Sequence, residues 1–271
     1  MGLIFSIASQ KGGVGKTTTA LNLGVAFARS NRKVLIIDAD PQGGIVYSLN
    51  KQHHSPFGLY QVFCGEADIL DGAQPTELEN LYVMDSGIPN SNSEIQAFED
   101  STRATGLFRE SVLNASPHYD LILIDCPPGI GLISTGALIA SDYTIIPLQS
   151  EPLSLRTFPQ LLHQLIDIKK NSNHSIEIAG ILLTMVDANS AASQLVHEEV
   201  RKYFTEDLVF ENAIPRDTAL NMLYTGNRTL TKAIEELETT SEGLQAYYHL
   251  AEEIYSKYFA RTHKELIATN F

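Results

Sequence analysis

Lys11-Gly12-Gly13-Val14-Gly15-Lys16-Thr17-Thr18, entered from the apolar run Leu3 to Ala8, is the stretch that decides how this chain folds. Gly12, Gly13 and Gly15 let backbone N–H groups turn inward without a clash at Cβ, and a helix beginning near Lys16 points its positive end into the loop. Such a loop cradles phosphate. The general pattern is Gly-x-x-x-x-Gly-Lys-Ser/Thr, and here Lys11 stands where the first glycine would. Lys16 is then expected to bridge β- and γ-phosphate oxygens of ATP, Thr17 to offer its hydroxyl to Mg2+, and Thr18 to reach the α-phosphate. A bare glycine turn with an incidental lysine is separated from this reading by position, after a strand and before a helix.

Outward from the loop, Thr17 to Ser30 carries Leu21, Val25 and Ala28 at helical spacing. Lys33 to Asp38, Tyr119 to Asp125 and Tyr143 to Leu148 are apolar runs of the kind found in buried strands, and Ile130 to Ala140 and Ser154 to Lys170 are helical patterns. Further on, the pattern predicts a strand over Ile178 to Val186, a helix over Ala191 to Phe204 and a last strand over Leu208 to Ile214. Strands alternating with helices predict an α/β fold, a mainly parallel twisted sheet with helices on both faces and its ligand at the carboxyl ends of the strands. Gln52 to Asn80 reads as short helices and loops, and Ser86 to Ser93 as a loop. Leu244, Tyr247, Tyr248, Ala251, Ile254, Tyr255 and Tyr258 share one helical stripe, expected to pack on the sheet.

Bulk properties narrow the class. At 271 residues, 44% hydrophobic and 19% charged, the chain can bury one sizeable α/β core, so residues 1–271 are expected to form a single domain. The apolar stretches are too short or too interrupted to span a bilayer, and Met1 to Ser6 lacks the basic and apolar regions of a signal peptide, which implies a cytoplasmic protein. Cys64 and Cys126 are too few and too far apart for a disulfide framework or a zinc site. The net charge is −13, and residues 151–271 hold 11 Lys and Arg against 17 Asp and Glu. That balance argues against a strongly electrostatic grip on nucleic acid, leaving only a local basic patch among Arg201, Lys202, Arg216, Arg228 and Lys232.

An apolar strand ending in an acid is the Walker B arrangement, and Leu121 to Asp125 followed by Cys126-Pro127-Pro128-Gly129 makes Asp125 a candidate to hold Mg2+ directly or through water. The octet from Lys11 to Thr18 closely resembles the deviant P-loop of the ParA/MinD family of ATPases, and the resemblance runs through most of the chain. It implies that Lys11 reaches the nucleotide of the other subunit, so that ATP binding is coupled to homodimer formation. Asp38-Ala39-Asp40-Pro41-Gln42 resembles the family segment in which the second acid, Asp40, positions or activates the attacking water, with Asp38 nearer the metal's water shell. Helix capping is the plainer role for both acids. Leu183 to Asp187 and Ala213 to Arg216 resemble the segments that flank the adenine, which brings in Met185, Pro215 and Arg216, and Gln149-Ser150-Glu151 is similar to a segment facing the dimer partner.

Within the family, Asp38 to Gln42 has the ParA form, and the first strand at Leu3 looks like that of the short form, which is expected to lack an N-terminal helix-turn-helix extension. The resemblance implies an ATPase that binds DNA without sequence preference as its ATP dimer and is released by a ParB-like activator, which would place it at the nucleoid. Asp217 to Asn227 departs from the Ser-Glu-Ala-Pro stretch usual there, so the partner or DNA face is expected to differ. A MinD-like membrane switch would need a basic amphipathic tail, and Lys257 to Ile267 is feebly of that kind. A metabolic or reductase relative is the third class, for which neither cysteine offers a convincing cluster ligand. His53 and His54 read as surface residues.

Overall fold

The computed structural model describes residues 1–41, 45, 55–87, 104–129, 131–220 and 230–260. Its strands are β1 (Leu3–Ile7), β2 (Val34–Asp38), β3 (Gln74–Pro75), β4 (Leu81–Met84), β5 (Leu121–Asp125), β6 (Tyr143–Gln149) and β7 (Glu177–Thr184). They form one sheet in the order β3-β4-β2-β5-β1-β6-β7, in which every described pairing is parallel except β3 with β4. Val34–Asp38 and Leu121–Asp125 are buried at every position, because both faces of a parallel sheet are covered and no solvent face remains to impose alternation.

The helices are α1 (Lys16–Arg29), α2 (Leu59–Cys64), α3 (Ile69–Gly72), α4 (Ala104–Ala115), α5 (Leu132–Ala140), α6 (Ser154–Asn171), α7 (Ala191–Tyr203), α8 (Leu230–Leu237) and α9 (Glu242–Ile254). Successive strand residues point to opposite faces and so enter different cores. Ile4, Ile122 and Ile124 join a cluster with Phe108 of α4, Ala137 of α5, Leu161 of α6 and Val196 of α7. Phe5, Ile7, Leu121 and Leu123 join the other, with Leu21 and Val25 of α1, Ile234 of α8 and Leu244 and Tyr247 of α9. The C-terminal stripe thus packs in the layer that contains α1, as well as against the sheet. Among the described residues no helix is long and apolar enough to cross a membrane.

The expected strand over Leu208 to Ile214 does not form; the described contacts there are isolated bridges, Ile181 with Val209 and Val186 with Pro215. Phe210 and Ile214 still donate backbone N–H groups to the Ile181 and Leu183 carbonyls of β7. Between them, the N–H groups of Glu211 and Asn212 turn away and donate to the Glu253 carboxylate of α9, at 3.2 and 3.3 Å. A side chain from α9 therefore replaces the ladder. The edge pair β3 and β4, and helices α4 and α8, were not among the expected elements; Leu81–Met84 is only 4 residues long, too short for its period to register.

Candidate functional site

The carboxyl ends of the central strands meet in register, with Ile7 opposite Asp125, Asp38 opposite Asp125 and Gln149 opposite Thr184. Residues 8–15 cross this end and lead into α1. Gly13 and Gly15 take φ values of +73° and +91°, in the left-handed region where a Cβ is strained. Gly15 is the N-cap of α1 and no side chain caps that helix, which leaves its first amides directed at the loop. The Thr184 hydroxyl donates to the Val14 carbonyl at 2.9 Å and fixes the loop to the end of β7. Thr184 was not singled out in the sequence, since a threonine at a strand end carries no signal until its neighbour is known.

Lys16 is 7% exposed, and its ammonium donates to the Lys11 carbonyl at 3.4 Å. Burial pulls its pKa down, while the charges of Asp125, Cys126 and Asp40 act in the opposite sense. Next to it, the Thr17 hydroxyl donates to Asp125 Oδ2 at 2.6 Å, and Asp125 Oδ1 is buried and accepts no hydrogen bond. Burial pushes the Asp125 carboxyl up to about 7, against the pull of the Thr17 bond and of Lys16. Asp38 is fully buried and is pushed well above the usual carboxylate range, by burial first and by the charge of Asp125 second. Its oxygens accept the N–H groups of Asp40 and Ile45, at 3.1 and 2.9 Å.

This donor set suits a hard divalent cation: a hydroxyl and an orphaned carboxylate oxygen, with phosphate oxygens and water to complete an octahedron. Thr17 and the open Asp125 oxygen are the first candidates to touch it, and Asp38, whose oxygens each accept one backbone amide, is a candidate for its water shell. Among the described residues no group of three His, Cys, Asp or Glu could hold a metal by itself. Cys126 is buried, and its thiol is pushed up by burial and by Asp125, so it packs rather than reacts. His53 and His54 lie outside the described residues.

The raised Asp125 carboxyl has a testable sign. In ligand-free protein the folded state binds more protons than the unfolded state between the unfolded carboxyl value, about 4, and the folded value, about 7. Asp125 therefore subtracts stability as pH rises through that window, by an amount on the order of a few kcal/mol. The unfolding free energy of wild type minus that of Asp125→Asn, followed from pH 4 to 8, should fall as pH rises. A flat difference would contradict the assignment.

Lys11 holds a different set of partners. Its ammonium donates to Gln149 Oε1 at 3.1 Å and to Glu151 Oε2 at 3.4 Å, while Gln149 Nε2 donates to Glu151 Oε1 at 2.7 Å. The Arg216 guanidinium lies 4.0 Å from that same Glu151 oxygen. Gln149 and Glu151, expected at a dimer face, thus hold Lys11 within one chain, and Ser150 is buried with its hydroxyl 2.7 Å from that of Ser193.

The two segments expected to flank a base run side by side. Val186 N–H donates to the Ile214 carbonyl, and Arg216 N–H donates to the Val186 carbonyl. Met185, in the first of these segments, has a φ of +53°, an uncommon value for a side chain of its size. Among the described residues, the expected basic patch does not assemble as one face. α7, with Arg201 and Lys202, packs in one layer, and α8, with Lys232, packs in the other. Lys202 pairs with Glu199 at 3.7 Å, and Arg228 lies outside the described residues.

Comparison with known proteins agrees with the fold. A family model described as an AAA domain matches residues 2–178. The chain is 37% identical over 255 residues to the sporulation initiation inhibitor protein Soj of Bacillus subtilis (strain 168), covering 94% of this chain and 98% of that protein. It is 36% identical over 257 residues to the chromosome partitioning protein ParA of Caulobacter vibrioides (strain NA1000 / CB15N), covering 94% of each. Among solved structures, the septum site-determining protein MinD of Pyrococcus horikoshii OT3, complexed with Mg-ADP, superimposes with a TM-score of 0.74 at 26% identity, covering 96% of this chain and 98% of that one.

Proposed function

We propose, from the premise that this chain belongs to the ParA/MinD family of P-loop ATPases, that it is a ParA-like switch in which Mg-ATP drives homodimer formation. Hydrolysis of ATP to ADP and phosphate then resets it, and the cycle positions or segregates DNA or another cargo. The observation that supports this reading best is the clustering of Lys16, Thr17 and Asp125 under a loop that also carries Lys11. A single sheet with strands on both sides of the loop supports reading residues 1–271 as one ATPase unit.

The residues divide the work. Gly12, Gly13, Val14 and Gly15 offer backbone N–H groups to phosphate oxygens, Lys16 neutralises the β- and γ-phosphates, and Thr18 reaches the α-phosphate. Thr17 and Asp125 hold the Mg2+, with Asp38 behind them; when bound, the ion supplies positive charge to the phosphates. Asp40 orients the attacking water, a role in which a carboxylate serves by placement and charge. Met185, Pro215 and Arg216 border the base. Replacing Asp40 by alanine is then expected to preserve ATP binding, to lower turnover by at least about a hundredfold and to leave the dimer trapped. Normal turnover by that variant would remove Asp40 from the mechanism.

The activator in this reading is a ParB-like protein with a basic segment, drawn to a chain whose net charge is −13. Bulk DNA is the cargo this reading expects the ATP dimer to bind, through a surface completed by dimer formation rather than by one basic face of the monomer, with a membrane as the competing reading. Most of the tail that a membrane switch would use lies outside the described residues. Co-sedimentation of the ATP-bound form with bulk DNA or with anionic vesicles across a salt series tests the reading. Expected is DNA binding that weakens as salt rises. Binding to vesicles alone would replace this reading with a MinD-like one.

A further inference from the structure

α9 touches both halves of the site from a single rigid element. On the phosphate side, Tyr247 is 1% exposed and its hydroxyl lies 3.0 Å from that of Thr19, which is fully buried. Thr19 belongs to the first turn of α1, because its N–H donates to the Gly15 carbonyl at 2.8 Å. Thr19 is thus two residues from Thr17, directly behind the phosphate loop. On the base side, Asp217 follows Pro215 and Arg216 in the chain. Its Oδ1 accepts the Ala219 N–H at 2.7 Å, and its Oδ2 accepts the Ser241 hydroxyl at 2.6 Å and the Gly243 N–H at 3.0 Å. Ser241 is the N-cap of α9.

The second contact is close-packed as well as hydrogen-bonded. A Cβ added at Gly243 would stand 2.6 Å from Leu220 Cδ1 and 3.0 Å from Asp217 Cβ, so the segment after Arg216 can shift little against the helix. Residues 211–216 need such support because they form no strand. One side is tied to Leu183 of β7 through Ile214 and to Val186 just beyond it through Arg216, and the other side is tied to α9 through Glu253 and Asp217. A base is recognised by backbone groups only when they are held to within about half an ångström.

We propose that α9 is a brace that sets the separation between the phosphate loop and the base-flanking segment, with Asp217 and Tyr247 as its positioning residues. Asp217 governs which base is accepted, and Tyr247 governs how tightly the phosphates are held. The inference rests on the ATP reading above.

The experiment is nucleotide binding by the full chain with ADP, GDP and tripolyphosphate in the presence of Mg2+, for wild type, Asp217→Ala and Tyr247→Phe. Asp217→Ala should weaken ADP about tenfold, leave tripolyphosphate within about twofold and bring the ratio of ADP to GDP affinity toward one. Tyr247→Phe should weaken ADP and tripolyphosphate by the same factor and leave that ratio unchanged. If Asp217→Ala folds poorly, Asp217→Asn keeps the side chain's size but weakens the charge-assisted tie to Ser241 and Gly243, and should move the ratio in the same direction by less. A capping role alone would weaken all three ligands in proportion, and that outcome, or an unchanged ratio in both base-side variants, overturns the proposal. A wild-type chain that binds tripolyphosphate but no adenine nucleotide overturns the ATP reading, and this proposal with it.

Discussion

Lys16→Ala should lower nucleotide affinity by at least about a hundredfold and bring ATP turnover to background, the largest single effect expected in this chain. The reason is electrostatic. Lys16 is the buried cation beside Asp125 and Asp40, and burial already works against its charge. A buried ammonium of this kind is stabilised by anionic partners, and a charge-assisted bond to phosphate contributes about 1.5–3 kcal/mol, so losing two of them accounts for the fall. Titration with a fluorescent ATP analogue measures the affinity, and a melting curve checks that the variant folds. Fold should survive, because the Lys16 ammonium makes one long bond to its own loop, at 3.4 Å, and the hydrogen bond between Thr17 and Asp125 does not involve it. A folded variant that still binds within about threefold of wild type would remove Lys16 from the phosphate site.

Lys11→Ala should behave in the opposite way, binding one nucleotide per monomer normally and failing to dimerise with a slowly hydrolysed ATP analogue. In this structure the Lys11 ammonium rests on Gln149 and Glu151 of its own chain. With its side chain 33% exposed and that of Glu151 45% exposed, the pair contributes on the order of 1 kcal/mol or less. Lys11 can therefore leave at small cost when a more concentrated charge, a second subunit's phosphates, comes within reach. The monomer's melting temperature should accordingly stay within a few degrees of wild type. Light scattering with the analogue, at matched protein concentration, decides the matter, and dimers of unchanged stability would sink the coupling between Lys11 and assembly. Together the two expected results would separate binding from assembly, assigning Lys16 to its own nucleotide and Lys11 to the partner's.

Much of the site was legible in the sequence, because much of it is contiguous. The loop from Lys11 to Thr18 carries its own geometry in three glycines and its own chemistry in two lysines and two threonines. Asp125 was legible for a related reason, as an acid closing an apolar strand. Asp38 was read as an acid nearer the metal's water shell; that its oxygens also accept the amides of Asp40 and Ile45 is a local turn that periodicity does not reveal. The segment from Leu208 to Ile214 has the composition of a strand and sits beside β7, but Glu253 takes the N–H groups that a ladder would have used.

The sequence by itself thus determined the α/β class, the phosphate loop with its additional lysine, and the acid that closes β5, all of which follow from neighbours along the chain. Only the tertiary structure decided what Lys11 rests on, 138 and 140 residues away, what ties Val14 to Thr184, 170 residues away, and what braces Thr19 through Tyr247, 228 residues away. The physical reason is range. A hydrophobic period and a glycine turn are written over a few consecutive residues, whereas a hydrogen bond between distant side chains depends on the placement of whole elements, which no local pattern encodes.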